Sequence, residues 1–224
     1  DTVWETEMIE LEGPRMAAAS GEAPTALVVL LHGLGADGND LIGLAPVWAP
    51  HLPHVEFVSP NAPYPCDMAP YGRQWFSLQV RTEEVMLDGV RQAAPILENF
   101  LEAELKRTGL GWDRLALVGF SQGTMMSLHL APRLKQAPAG VLGYSGALVA
   151  GGLLAEEVAG KPPVSLIHGL ADEVVPHAAM PAAEAALQAV GIEVESLSRP
   201  GLGHGIDEEG LGRGLAFLRR VLPQ

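Results

Sequence analysis

Cysteine is almost missing from this sequence: Cys66 is the only one in 224 residues. A single thiol cannot close an internal disulfide, so the sequence predicts a reducing compartment, the cytoplasm, and a fold held by its own core. Positive charge is also scarce. Lys and Arg number 14 against 27 Asp and Glu, a net charge of −13 at pH 7. With no basic run, a nucleic acid is repelled and an anionic membrane surface is a poor partner. Charged residues of both signs reach 18%, too few for a charge-driven disordered chain. Long apolar runs are lacking too. The longest uncharged stretch, 136–155, carries Gly140, Gly143, Gly146, Gly151 and Gly152. It reads as a buried strand followed by a loop, so no stable membrane insertion is expected. The first residues are acidic, without the apolar stretch of a secretory signal.

Glycine and proline are abundant, at 26 and 18 residues, which implies many tight turns. A chain of this length folds around its own core, and no linker or repeat divides it. The whole chain, 1–224, is expected to form one domain. Residues 2–11 alternate polar and apolar, as a half-exposed strand does. The run Ala26–Leu31 (ALVVLL) is continuously apolar, the pattern of a strand covered on both faces and hence of a parallel sheet. Similar runs recur at 55–59, 115–120, 140–144 and 164–167, with a weaker one around Val194 and Leu197. Between them, 82–105, 123–134, 181–190 and 208–222 space their apolar residues three and four apart, as amphipathic helices do. Strand and helix therefore alternate. The predicted class is α/β, with about seven strands in a mostly parallel sheet flanked by helices. The segment 60–80 fits neither period. Its prolines and its Met68, Trp75 and Phe76 suggest a loop that shapes a binding site, with a structural role for the aromatics as the alternative.

Gly119-Phe120-Ser121-Gln122-Gly123 satisfies G-x-S-x-G. The pattern demands a sharp strand-to-helix turn that lifts the serine hydroxyl clear, with glycine on both sides where the chain crowds. In a glycine-rich chain the pattern alone is cheap, but this copy follows an apolar strand and opens a helical period. Ser145 follows an apolar run as well, yet lacks the second spaced glycine and the helix. A serine nucleophile needs a base, and the base an orienting acid. Of seven histidines, His204 sits in a glycine-flanked loop between the last strand and the last helix. His51 and His54 flank Pro53 without the glutamate of a zinc helix, so no metal is expected. Asp172 follows a late strand. Asp113 and Asp207 occupy the wrong places and read as solvated turn residues. The order Ser121, Asp172, His204 is that of an α/β-hydrolase triad.

His32-Gly33-Leu34-Gly35 follows an early strand, where this layout takes one oxyanion donor; the other comes from the residue after the nucleophile. The backbone N–H groups of Leu34 and Gln122 are thus the candidate oxyanion hole. The same loop also fits G-x-G-x-x-G, the dinucleotide fingerprint of an NAD(P)-dependent oxidoreductase. That reading needs an acidic residue at the end of the next strand to bind ribose. Only Glu56 is offered, inside the strand, and the Ser/Asp/His series stays unexplained.

With these segments, and with Pro60-Asn61-Ala62-Pro63, Trp75-Phe76 and His168-Gly169-Leu170-Ala171-Asp172-Glu173-Val174-Val175-Pro176, the chain resembles the phospholipase/carboxylesterase family of α/β-hydrolases, which includes acyl-protein thioesterases. The resemblance spans nearly the whole chain. It implies a cofactor-free serine hydrolase acting on small-molecule esters of short to medium acyl chain, with lysophospholipase and acyl-protein thioesterase activities as alternatives. It also implies Ser121, Asp172 and His204 as triad and Leu34 and Gln122 as oxyanion hole. Relatives often form homodimers, and no patch in the sequence decides that point. Thr124 departs from the family pattern, where many relatives carry glycine. Met68, Trp75 and Phe76 are expected to line the acyl pocket.

Overall fold

The computed structural model describes residues 8–224. Seven strands form one sheet: β1 (Arg15–Met16), β2 (Ala26–Leu31), β3 (Val55–Val58), β6 (Leu115–Phe120), β7 (Gly140–Tyr144), β8 (Val164–Gly169) and β9 (Val194–Arg199), in the order β1-β3-β2-β6-β7-β8-β9. All neighbours run parallel except β1, which pairs antiparallel with β3 through Arg15↔Val58 and Met16↔Phe57. Strands β4 (Tyr64–Pro65) and β5 (Arg73–Gln74) form a separate small hairpin. The strand expected over 2–11 falls largely on residues 1–7, outside the described residues. Residues 8–11 are irregular, and the edge strand lies at Arg15–Met16 instead.

The apolar run of β2 explains the layering. Every residue of β2 is fully buried, and alternate side chains point to opposite faces. Leu27, Val29 and Leu31 join one cluster, with Leu97 and Leu101 of α3 (Glu83–Thr108), Met126 of α4 (Gln122–Leu130) and Leu187 of α6 (Ala179–Ala189). Ala26, Val28 and Leu30 join the other, with Trp48 of α2 (Ala45–Trp48) and Phe217 and Leu218 of α7 (Glu208–Val221). Two short helices complete the chain, α1 (Gly38–Leu41) and α5 (Leu154–Glu157). Full burial of one such aliphatic side chain stabilises by about 1.5–3 kcal/mol, so both faces must be covered.

The long helices start and stop where their end residues dictate. Thr82 caps α3 by accepting from Val85 N–H, Glu83 and Glu84 occupy the positive end, and Gly109 at φ 72° ends it. Asp207, read from sequence as a solvated turn residue, caps α7 by accepting from Gly210 N–H and pairs with Arg199 at 2.9 Å. Glu56, the acid a nucleotide site would have needed, sits near the start of β3, away from the glycine loop that follows β2. It belongs to an ionic cluster with Arg15, Arg107 and Glu104. Burial raises the Glu104 pKa, but hydrogen bonds from Arg15 and Arg107 outweigh it and hold the carboxyl below its ordinary range.

Candidate active site

The carboxyl ends of the central strands carry the site. Between β6 and α4, Ser121 adopts φ 56° and ψ −115°, a left-handed conformation that costs a non-glycine residue about 1–3 kcal/mol. Hydrogen bonds hold it there. Its N–H donates to Tyr144 O at 2.9 Å, and its carbonyl accepts from the N–H groups of Thr124 and Met125. The flanking glycines are obligatory on contact grounds. A Cβ at Gly123 would lie 1.8 Å from Leu31 O, and one at Gly119 would lie 2.5 Å from Thr124 N.

Thr124, the departure from the family pattern, is accommodated on the neighbouring strand. Its hydroxyl donates to Tyr144 O at 2.9 Å, the carbonyl that also holds Ser121. Its side chain fills the space a Cβ would need at Gly143 and at Gly146. Ser145, the other serine after an apolar run, is buried, with its hydroxyl 3.5 Å from Gly205 O on the histidine loop.

The structure brings Asp172 and His204 together. His204 Nδ1 lies 2.8 Å from Asp172 Oδ2. A carboxylate only accepts, so Nδ1 carries a proton, and in the neutral imidazole that places the lone pair on Nε2. The other oxygen, Oδ1, accepts from the N–H groups of Val174 and Val175, both at 2.9 Å. Burial raises the Asp172 pKa. The bonds from His204, Val175 and Val174 more than offset this and keep the group ionised below the ordinary carboxylate range. Behind it, His168 Nε2 donates to Val175 O at 2.8 Å and stands 3.4 Å from Asp172 Oδ2. Burial lowers the His168 pKa, so this imidazole is neutral near pH 7. Phe120, next to Ser121 in sequence, packs its ring on the His204 imidazole.

Ser121 and His204 open into one cavity of about 340 Å³, walled mainly by apolar side chains. Leu34, from the loop after β2, is part of its wall. Gln122 opens α4, where a backbone N–H has no partner within its helix. The loop of Leu34 is clamped by the β4–β5 hairpin. Gly35 N–H donates to Arg73 O, Arg73 N–H donates to Ala36 O, and the Arg73 guanidinium donates to Ala62 O and Pro63 O.

The expected acyl-pocket residues sit elsewhere. Met68 is half exposed, and neither it, Trp75 nor Phe76 lines the cavity. Trp75 and Phe76 are buried because they anchor the loop: the Gln122 side chain accepts from Trp75 N–H and donates to Phe76 O, and Trp75 Nε1 donates to His32 O. The structural alternative for these aromatics is the one their contacts support. Leu78 of the same loop does line the cavity. So do Arg81, Met86 and Met125, together with Val174, Val175 and Pro176 after Asp172. Met86 was legible only as a helix-face residue, and the Val-Val-Pro run only as part of a motif. Nothing in the local pattern singled out Arg81.

No helix among the described residues is long and apolar enough to cross a membrane. Among solved structures, the chain is similar to esterase PE8, at 42% identity with a TM-score of 0.92, covering 96% of this chain and 100% of that one. Curated relatives include esterase YpfH of Escherichia coli, 31% identical over 88% of this chain and 84% of that protein. Acyl-protein thioesterase 1 of Gibberella zeae is 29% identical over 89% of this chain and 92% of its own length. Residues 14–222 match the Phospholipase/Carboxylesterase family throughout. With its seven-stranded α/β-hydrolase sheet and this match over nearly its entire length, the chain belongs to the phospholipase/carboxylesterase family.

Proposed function

We propose that the protein is a serine carboxylesterase that works through an acyl-enzyme on Ser121. One observation carries the reading. Ser121 is held at φ 56° in the same cavity as His204, whose Nδ1 is bound to Asp172. With Nδ1–H committed to Asp172, Nε2 of His204 is the atom free to take the Ser121 proton as the oxygen attacks the acyl carbon. The imidazolium then gives that proton to the departing alcohol. Water, activated by the same nitrogen, cleaves the acyl-enzyme. The N–H groups of Leu34 and Gln122 receive the oxyanion, and loss of one such donor costs on the order of 100- to 1,000-fold in rate.

Relatives named acyl-protein thioesterase favour a second reading, in which the leaving group is a thiol. The strongly acidic surface speaks against lipid-bilayer substrates and for freely diffusing esters. One cysteine, buried, is in keeping with a cytoplasmic site of action.

The test is labelling with a fluorophosphonate probe alongside hydrolysis of p-nitrophenyl butyrate. The reading expects Ser121 to carry the label, and Ser121→Ala to lose both label and turnover, the latter by about a million-fold as in protease triads. Near-normal hydrolysis by Ser121→Ala would overturn it. Oxygen and sulfur esters of matched acyl length separate the two leaving groups.

A further inference from the structure

Arg81 stands out in the cavity wall. Its neighbours there are Leu34, Leu78, Met86, Met125 and Val174, none of them charged. The wall contains no Asp or Glu. Six of the eleven arginines are paired with acids. Arg15, Arg91, Arg107, Arg133, Arg199 and Arg220 each hold a carboxylate within 3.5 Å. Among the described residues, no carboxylate lies within 4 Å of the Arg81 guanidinium, although Glu83 and Glu84 follow it closely in sequence. Its one hydrogen bond is local, from Nε to Leu78 O at 3.2 Å. That bond fixes the stem and leaves the two terminal nitrogens to an external acceptor. Arg81 also lies one residue before the Thr82 cap of the 26-residue helix α3, whose N-terminus adds to the positive potential.

Arg81 is exposed to solvent where it borders an otherwise uncharged, mainly apolar cavity, so its terminal nitrogens are open to an anionic group that enters with the substrate. We propose that Arg81 is a specificity-determining residue for esters whose acyl chain ends in a carboxylate, that is, monoesters of dicarboxylic acids. The inference rests on the serine esterase reading. In that mechanism the acyl chain stays on Ser121 while the alcohol leaves, and the apolar cavity is the space open to it. The methylene segment packs on Leu78, Met86 and Met125. The terminal carboxylate accepts two parallel N–H bonds from the guanidinium, the geometry that favours arginine over lysine. The carboxylate takes no part in bond making or breaking.

Salt dependence gives the proposal a sign of its own. Overall charge repels an anionic ester, so screening by salt should raise its rate if only the global field acts. A local pair with Arg81 reverses that sign, because salt then weakens the dominant attraction.

The experiment compares mono-p-nitrophenyl adipate with p-nitrophenyl hexanoate, equal in chain length and differing in the terminal carboxylate. Both are followed by nitrophenolate release across a range of ionic strength, in the wild type, Arg81→Met and Arg81→Lys. The readout is the adipate-to-hexanoate ratio of kcat/KM, so hexanoate turnover reports that each variant is folded. Arg81→Met should lower that ratio about tenfold, the scale of a hydrogen bond to a charged group. It should also turn the falling salt dependence of adipate into a rising one. Arg81→Lys should keep part of the ratio. A ratio unchanged in Arg81→Met, or adipate turnover that rises with salt in the wild type, would overturn the Arg81 inference and leave the esterase reading standing. No turnover of either ester by the wild type would overturn both.

Discussion

The Phe120 ring packs against the His204 imidazole with centroids 4.8 Å apart and planes inclined at 45°. The two residues are far apart in sequence, yet the side chain immediately before the nucleophile braces the proposed base. Asp172 fixes one edge of the imidazole by a hydrogen bond, and Phe120 supports a face. Removing that support should let the ring swing about its bond to Asp172. Phe120→Ala is expected to lower kcat on p-nitrophenyl butyrate by on the order of ten- to a hundredfold, the cost of a roughly 1 Å misplacement. Phe120→Tyr keeps the ring and should retain most of the activity. Steady-state kinetics on the two variants decide it, and equal rates for Ala and wild type would remove the bracing role.

Asp172→Asn isolates the tautomer argument. The amide oxygen of asparagine still accepts from Val174 and Val175 N–H groups, so the loop stays folded. Its NH2 group then faces His204 Nδ1, which must become an acceptor. Nε2 is protonated in that tautomer and cannot take the Ser121 proton. The loss in kcat should approach about 10,000-fold, as in other triads, with an unchanged circular-dichroism spectrum. A loss below tenfold would show that Asp172 does not orient the base.

Glycine 123 is required by contact. A Cβ there meets Leu31 O at 1.8 Å and His32 O at 2.9 Å, both backbone atoms that cannot yield. Gly123→Ala should destabilise by more than about 4 kcal/mol or fail to yield folded protein. Gly43→Ala is the control. No atom lies within 4 Å of its Cβ position, and its φ is not in the left-handed region. It should be neutral or stabilise by about 0.4–1 kcal/mol through the unfolded chain. Urea midpoints measure both.

Acid stability should report His129. Burial, assisted by the Arg133 charge, lowers its pKa from 6.5 to about 4. Its Nδ1 is buried without a hydrogen-bond partner. The unfolded chain binds this proton at higher pH than the folded one does. The neutral, folded form is therefore fully favoured above pH 6.5, and the advantage is lost as pH falls toward 4. His32 and His168, both lowered first by burial, act in the same sense. His129→Leu should reduce the slope of unfolding free energy against pH in that window by about 1.4 kcal/mol per pH unit, one proton's share. Parallel curves for wild type and variant would exclude His129 as the source.

Much of the protein was legible in the sequence because it depends on local rules. The unbroken apolar run of Ala26–Leu31 says that both faces are covered, and the structure buries all six side chains. The apolar spacing over 82–105 marked the helix that the structure runs from Glu83 to Thr108. The alternation of strands and helices placed Ser121, Asp172 and His204 after β6, β8 and β9. In a parallel sheet every strand ends on the same edge, so order along the chain translates into proximity. Edge strand β1 was less legible: two residues give no period, and its place follows from pairing with β3.

The cavity wall was decided in three dimensions. Trp75 and Phe76 look like pocket residues in a proline-rich loop, and Met68 with them. Which way each side chain faces depends on bonds such as those from Gln122, 47 and 46 residues away. Those bonds turn the aromatics inward as anchors, while Leu78 and Arg81 line the cavity that Ser121 opens into. Sequence by itself determined the fold class, the family and the residues proposed for acyl chemistry, because turn geometry and side-chain period act over a few residues. Tertiary structure alone decided what the acyl chain would touch. That surface is assembled from six separated segments, and only packing sets their relative positions.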